Sequence, residues 1–239
     1  MYIWMNKLKV SLIIPAYNEE KYIWQCLEYA LKNSKWYIQE IIVVDNNSTD
    51  STKKVAASYP GVKVVSEKKK WTSSARNRWY LESTGDILAF VDADTHIPAW
   101  WAKKIEEKFL HTSKIGVVCG PYSFYDLPWY SFFYSWLYYA PLLTYLMSKL
   151  VGGVCTGGNF AVRKTILDKI GWFNTDILFY GDEADFLKRA EKYTKMQYML
   201  NLKMPTSSRR YTHQGIFKTW FMYLSHMFTP SNAPVKDFR

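Results

Sequence analysis

The sequence predicts an α/β fold: a mainly parallel central sheet with helices on both faces and an aromatic-rich helical appendage. Three observations point there. Short apolar runs rich in β-branched residues alternate with amphipathic stretches through the first half of the chain. Three of the runs end in turns bearing acids, at 15–20, 45–50 and 92–95. A 22-residue segment without a single charge, 127–148, then breaks the alternation.

The strand candidates, in order, are 8–14, 41–45, 62–66, 87–92 and 115–120. Helix candidates lie between them at 19–32, 49–59, 73–83 and 98–111. Ser48 or Thr49 offers an N-cap to the second helix, and Pro98 suits the first position of the fourth. Strand–helix–strand connections return the chain in the same direction, so the sheet is parallel where this pattern holds. In such sheets ligands sit beyond the carboxyl ends of the strands, where the acid-bearing turns fall.

Composition narrows the function classes. With 239 residues, 49% hydrophobic and 22% charged, the chain has enough apolar residues for a substantial core and too much charge for a multi-span membrane protein. A net charge of +10 favours anionic partners, and 18% aromatic residues suggests rings in a cleft or at a membrane interface. Cys26, Cys119 and Cys155 are widely spaced, without a Cys-x-x-Cys pair. They read as reduced thiols of an intracellular protein, not as a zinc site or disulfide framework. The N-terminal residues lack the pattern of a secretory signal.

Four constellations carry candidate chemistry. Asp92 and Asp94 follow an apolar strand, and residues i and i+2 of an extended segment point to one side. Two carboxylates there suit Mg²⁺ or Mn²⁺, with a diphosphate completing the coordination. Asp45 ends a strand as well; it serves either as a turn or cap residue or as an acceptor for a base or ribose. Asp182, Glu183 and Asp185 open a helix; they serve either to complement its macrodipole or, through mutual repulsion, to supply a general base. Arg76, Arg209 and Arg210 are candidates for phosphate or base contacts, whereas the run 68–70 reads as solvated surface. The four histidines show no metal-ligand spacing.

In this order and spacing, the motifs resemble those of family 2 glycosyltransferases of the GT-A (Rossmann-like) fold, over roughly residues 8–215. They are Pro15-Ala16-Tyr17-Asn18-Glu19, Val44-Asp45-Asn46-Asn47-Ser48-Thr49-Asp50, Ala75-Arg76-Asn77, Phe90-Val91-Asp92-Ala93-Asp94, Thr156-Gly157-Gly158-Asn159-Phe160-Ala161 and the acids at 182–185. The resemblance implies one domain, with a nucleotide-sugar-binding half at 7–120 and an acceptor half at 121–215. It implies that Pro15, Ala16, Tyr17 and Glu19 line the nucleoside pocket and that Asp45 bonds the base near Arg76. It further implies that Asp92, Ala93 and Asp94 hold the diphosphate through Mg²⁺ or Mn²⁺. Gly157, Gly158 and Asn159 would lie near the donor sugar and the acceptor. The family usually has Glu-Asp where this chain has Asp182-Glu183. That alignment makes Glu183 the base, with Asp182 as the alternative, in an inverting transfer from a nucleotide sugar, UDP-linked by preference.

The acceptor reads as a lipid-linked or glycan hydroxyl; a lipid phosphate would need no base. Segment 127–148 is long enough to span a bilayer, but a span would separate the 92–94 turn from the acids at 182–185. Pro128 and Pro141 fit short helices lying in the interface; the alternatives are a buried aromatic lobe or a surface for a second subunit. Together with the basic, aromatic segment 216–239, this predicts an enzyme peripheral on the inner face of the cell membrane, on anionic lipid. The competing class, a basic nucleic-acid-binding protein, is disfavoured because acidic turns repel phosphates.

Overall fold

The computed structural model describes residues 7–68, 72–127, 155, 157–174, 177 and 182–215; within helices, the side chains of 72–76, 182, 184 and 214 are outside the description. The appendage 128–148 and the C-terminal segment 216–239 therefore lie outside the described residues.

The strands are β1 (Val10–Ala16), β2 (Ile38–Asp45), β3 (Val62–Ser66), β4 (Ile87–Val91), β5 (Ile115–Cys119), β6 (Tyr122–Phe124), β7 (Asn159–Arg163), β8 (Lys195–Tyr198) and β9 (Met204–Thr206). The helices are α1 (Ile23–Ser34), α2 (Thr52–Ala57), α3 (Thr72–Glu82), α4 (Trp101–His111), α5 (Lys164–Ile170), α6 (Asp182–Ala190) and α7 (Arg209–Gln214). Seven strands form one sheet in the order β3-β2-β1-β4-β7-β5-β8. All run parallel except β7, which is antiparallel to both β4 and β5. Strands β6 and β9 pair separately, in parallel, as a two-stranded sheet.

Burial on both faces explains why these strands read as continuous apolar runs. Leu12 and Ile14 of β1 and Ala89 and Val91 of β4 face a core completed by Ile23, Leu27 and Ala30 of α1 and Trp101, Ile105 and Phe109 of α4. Ile13, Leu88 and Phe90 face the opposite core, closed by Trp79 of α3, Ile166 and Leu167 of α5 and Phe186, Leu187 and Ala190 of α6. Apolar residues of α1 recur at 23, 26, 27 and 30, the stripe of a helix packed on one side.

Three helix starts lie further along the chain than the sequence predicts. Asn18 adopts a left-handed φ of 52°, and a turn on the Glu19 carbonyl precedes α1, so the helix begins at Ile23 and not at 19. The cap-like bond at α2 comes from Asp50, whose Oδ1 accepts the Thr52 N–H at 2.9 Å; Ser48 and Thr49 are occupied with Asn18. Pro98 stands in a turn whose carbonyl accepts the Trp101 N–H, outside α4. The thiols of Cys26 and Cys119 are buried and that of Cys155 is partly so; none of the three forms a disulfide among the described residues.

Candidate active site

Register brings the acid-bearing turns to one level. Ala16 pairs with Asp45 across β1 and β2, and Ile13 pairs with Phe90 across β1 and β4. Carrying the second register three residues on sets Ala16 beside Ala93. The ends of β1, β2 and β4 thus open at a common edge of the sheet.

The first two turns are knitted together. Asn18 N–H donates to Ser48 Oγ at 3.1 Å, Thr49 N–H to Asn18 Oδ1 at 2.9 Å, and Glu19 N–H to Thr52 Oγ1 at 2.7 Å. Asn18 and Asn47, with φ of 52° and 62°, turn the backbone where most side-chain-bearing residues would be strained. Asn is among the residues that tolerate that region best. Asp45 is buried, and its Oδ1 accepts the Ser48 N–H at 3.4 Å, the bond of a turn residue. Ala16 and Ala93 have buried methyl groups, so any contact from them runs through the backbone. Pro15 and Tyr17 are half-buried at the same rim.

A charge cluster stands over this edge. One nitrogen of Arg209, Nη2, lies 2.6 Å from Glu19 Oε1 and 3.0 Å from Asp94 Oδ2. The guanidinium also sits 4.4 Å over the Tyr22 ring. Glu19 is 2% and Asp94 8% exposed, so both carboxylates rely on this cation in place of water. Burial pushes the Asp94 carboxyl above the usual carboxylate range; Arg209 pulls it down and the nearby Asp92 pushes it up further. Burial works against the charge of Arg209 too, but Glu19 and Asp94 outweigh it and hold the guanidinium firmly protonated. Arg210 is half-buried and close enough to favour the ionised form of Asp94.

Residues that the sequence reading missed hold these groups in place. Thr206 Oγ1 donates to Asp94 Oδ1 at 3.0 Å, and the Tyr122 hydroxyl donates to Asp92 Oδ2 at 2.7 Å. Asp126 accepts the Ser208 N–H and the Ser207 hydroxyl, both at 2.6 Å, and so anchors the start of α7, from which Arg209 projects. None of these pairs is closer than about thirty positions in the chain, so periodicity carries no trace of them. Tyr125, whose hydroxyl donates to the Asp94 carbonyl at 3.3 Å, stacks on His96 with centroids 3.9 Å apart. Burial, reinforced by Asp94 and Asp126, pushes its phenol up to about 12.

The glycine turn divides. Gly158 N–H donates to the Tyr122 hydroxyl at 2.7 Å, and a Cβ at Gly158 would run into the Asp92 carboxylate. Glycine is required there by close approach. Gly157 is half-buried beside it. Asn159 is a correction to the expected sugar-side role: it is fully buried, and its carboxamide bonds Trp101 Nε1 at 2.8 Å and the carbonyls of Pro121 and Leu202 at 3.0 and 2.7 Å. It ties α4 to the segments around β5 and β9 and is spent within the protein.

Topology directs the N-terminus of α6 toward the same edge. Ala190 ends that helix, and Lys195, opening β8, pairs with Ile115, the first residue of β5. The helix therefore runs back along the sheet, with its N-terminus toward the carboxyl ends of β4 and β5. Phe186 packs on Phe160 (centroids 5.9 Å apart), itself the register partner of Phe90. Glu183 is half-buried and three residues nearer the edge, about 4.5 Å along the axis at 1.5 Å per residue. Asp185 is committed elsewhere: its Oδ2 pairs with Arg189 at 2.6 Å, and Arg189 also donates to the carbonyls of Ile170 and Trp172. The side chains of Asp182 and Arg76 lie outside the described residues.

Among the described residues, no three His, Cys, Asp or Glu side chains gather as a metal cluster. Asp92 and Asp94 nonetheless offer hard carboxylate oxygens on one turn, where three acids (Glu19, Asp92 and Asp94) meet two arginines, Arg209 and Arg210. That donor set fits a divalent cation whose remaining coordination comes from phosphate and water.

A family model described as glycosyl transferase family 2 matches residues 11–171. The chain belongs to this family. The archaeal glycosyltransferase AglE of Haloferax volcanii is 36% identical over 104 residues, covering 40% of this chain and 33% of that protein. The dolichol-phosphate mannosyltransferase of Pyrococcus furiosus is 35% identical over 118 residues, covering 46% and 32%. The chain thus spans about a third of the length of these two relatives. Among solved structures, the glucosyl-3-phosphoglycerate synthase of Mycobacterium tuberculosis, in complex with Mn²⁺, UDP and phosphoglyceric acid, superposes with a TM-score of 0.65 at 21% identity. That match covers 94% of this chain and 80% of the neighbour, and establishes the shared fold.

Proposed function

We propose that this glycosyltransferase moves a sugar from a nucleoside diphosphate, UDP by preference, to an acceptor hydroxyl with inversion at the anomeric carbon. The convergence of Glu19, Asp92, Asp94 and Arg209 at one sheet edge carries the reading. The Mn²⁺–UDP complex of the mycobacterial neighbour supports the choice of donor and cation.

In this reading Pro15, Tyr17 and Asp45 receive the nucleoside, and the Asp45 carboxylate accepts the uracil N–H. A bound Mg²⁺ or Mn²⁺, held by Asp92 and Asp94, would neutralise charge on the diphosphate. Arg209 and Arg210 add fixed positive charge where the leaving group gathers its negative charge. Glu183 takes the proton of the acceptor hydroxyl as that oxygen bonds the anomeric carbon; the bond from that carbon to the diphosphate oxygen breaks. One displacement inverts the centre and needs no carboxylate nucleophile.

The hydrolysis of UDP- and GDP-sugars in Mg²⁺ or Mn²⁺ tests donor choice without knowledge of the acceptor. Turnover of a UDP-sugar is expected; turnover of GDP-sugars alone would overturn the base assignment, and turnover of none would overturn the donor class. The Pyrococcus relative favours a second reading, in which a lipid phosphate is the acceptor. A phosphate arrives already ionised and makes Glu183 dispensable.

We place the protein, again as a proposal, on the anionic inner face of the cell membrane, adsorbed through 127–148 and 216–239 toward a lipid-linked acceptor. Among the described residues no helix is long and apolar enough to cross a membrane. Flotation with vesicles containing phosphatidylglycerol at low salt should recover the protein with lipid. Its retention in the soluble fraction would contradict adsorption and leave 127–148 as a buried aromatic lobe or a subunit interface.

A further inference from the structure

The two-stranded sheet β6–β9 supplies one hydroxyl to each aspartate of the 92–94 turn. Its register pairs Tyr122 with Met204 and Phe124 with Thr206, so Tyr122 and Thr206 stand two positions apart along the ladder, as Asp92 and Asp94 stand two apart along the chain. The hydrogen-bond polarity at Tyr122 follows from its partners. The Gly158 N–H only donates, so the phenol oxygen accepts from it, and the phenol hydrogen is directed to Asp92 Oδ2. Asp94 is held twice, by Thr206 at Oδ1 and by Arg209 at Oδ2. The ladder is tied to the turn through backbone as well: His96 N–H donates to the Pro205 carbonyl at 2.9 Å, and Thr95 bridges to Thr206.

We infer that Tyr122 and Thr206 are positioning residues that set the carboxylate planes of Asp92 and Asp94 for donor binding, with β6–β9 as the clamp that holds both at once. The inference rests on the reading of those aspartates as the donor-binding pair. Tyr122 takes Oδ2 of Asp92 and turns Oδ1 toward the donor. Without the hydroxyl the carboxylate loses the bond that fixes its plane, and Gly158 loses the acceptor that holds the glycine turn against it. Removing a group that orients a ligating carboxylate commonly weakens cation binding 10- to 100-fold.

Calorimetric titration of UDP in the presence of Mn²⁺ tests this, with thermal melting alongside. Tyr122→Phe and Thr206→Val should each bind UDP about 10- to 100-fold more weakly while remaining folded at the titration temperature, and Thr206→Ser should restore most of the affinity. In an Asp92→Asn background Tyr122→Phe should add little further loss, because the group it orients has changed. Wild-type affinity in Tyr122→Phe and Thr206→Val, alongside loss in Asp92→Asn and Asp94→Asn, would overturn the clamp and leave the donor site standing. Wild-type affinity in the two aspartate variants would overturn the donor-site reading itself. A lowered melting temperature with unchanged affinity would assign Tyr122 and Thr206 to stability alone, which also overturns the inference.

Discussion

Arg209 places one nitrogen between two carboxylates that are almost wholly removed from water. Arg209→Ala leaves Glu19 and Asp94 facing each other without that cation, and removing one member of such a cluster typically costs about 3–5 kcal/mol. Urea denaturation should show a loss of this size; a change below about 1 kcal/mol would mean that water already screens the cluster. Asp45 behaves differently. It is buried, and its turn bond to Ser48 is long.

Short elements, whose lengths would mark them as minor, arrange the site. Asp126 anchors the first turn of α7 through Ser207 and Ser208, and that helix carries Arg209. Asp126→Ala should cost about 1–2 kcal/mol, the range for losing a helix cap, and should weaken UDP binding by releasing Arg209. Unchanged affinity would show that the Glu19 and Asp94 contacts alone hold the arginine. The five parallel strands from β1 to β5 were legible in the sequence because each is a short run rich in β-branched residues that ends in a turn. The acid-bearing turns were legible because strand ends are where such residues have no packing role. The reversed strand β7 was not legible, since an apolar run carries no sign of its direction. The clamp residues Tyr122, Thr206 and Asp126 escaped for another reason: each acts on a partner about thirty or more positions away, where only the tertiary fold makes them neighbours. The resemblance set Asn159 by the sugar, yet its side chain is buried and bonded within the protein.

Across the whole molecule, the edge opposite the site is stapled by Glu40. Its Oε1 accepts from Ser11 Oγ at 2.6 Å and from the Thr84 N–H and hydroxyl at 2.6 and 2.8 Å, joining β1 and β2 to the entry of β4. Burial alone would raise this carboxyl, but those three hydrogen bonds and Lys63 hold it below its ordinary range. A carboxyl depressed in the folded state stabilises the fold above its unfolded value of about 4.3, and that contribution is lost as pH falls through the folded value. Wild type should therefore lose melting temperature more steeply than Glu40→Gln below about pH 4.3, while being about 1–2 kcal/mol more stable at neutral pH. Parallel melting curves for the two would remove Glu40 from the acid response.

The same sheet also has to bring carboxylates from two distant parts of the chain to one sugar carbon. Steady-state turnover of a UDP-sugar by Asp94→Ala and Glu183→Gln, measured together with UDP affinity, tests that convergence most directly. The account predicts that Asp94→Ala loses affinity and turnover together, whereas Glu183→Gln keeps its affinity and loses about 10²- to 10⁴-fold in turnover to an acceptor hydroxyl. Full turnover in both variants would contradict it.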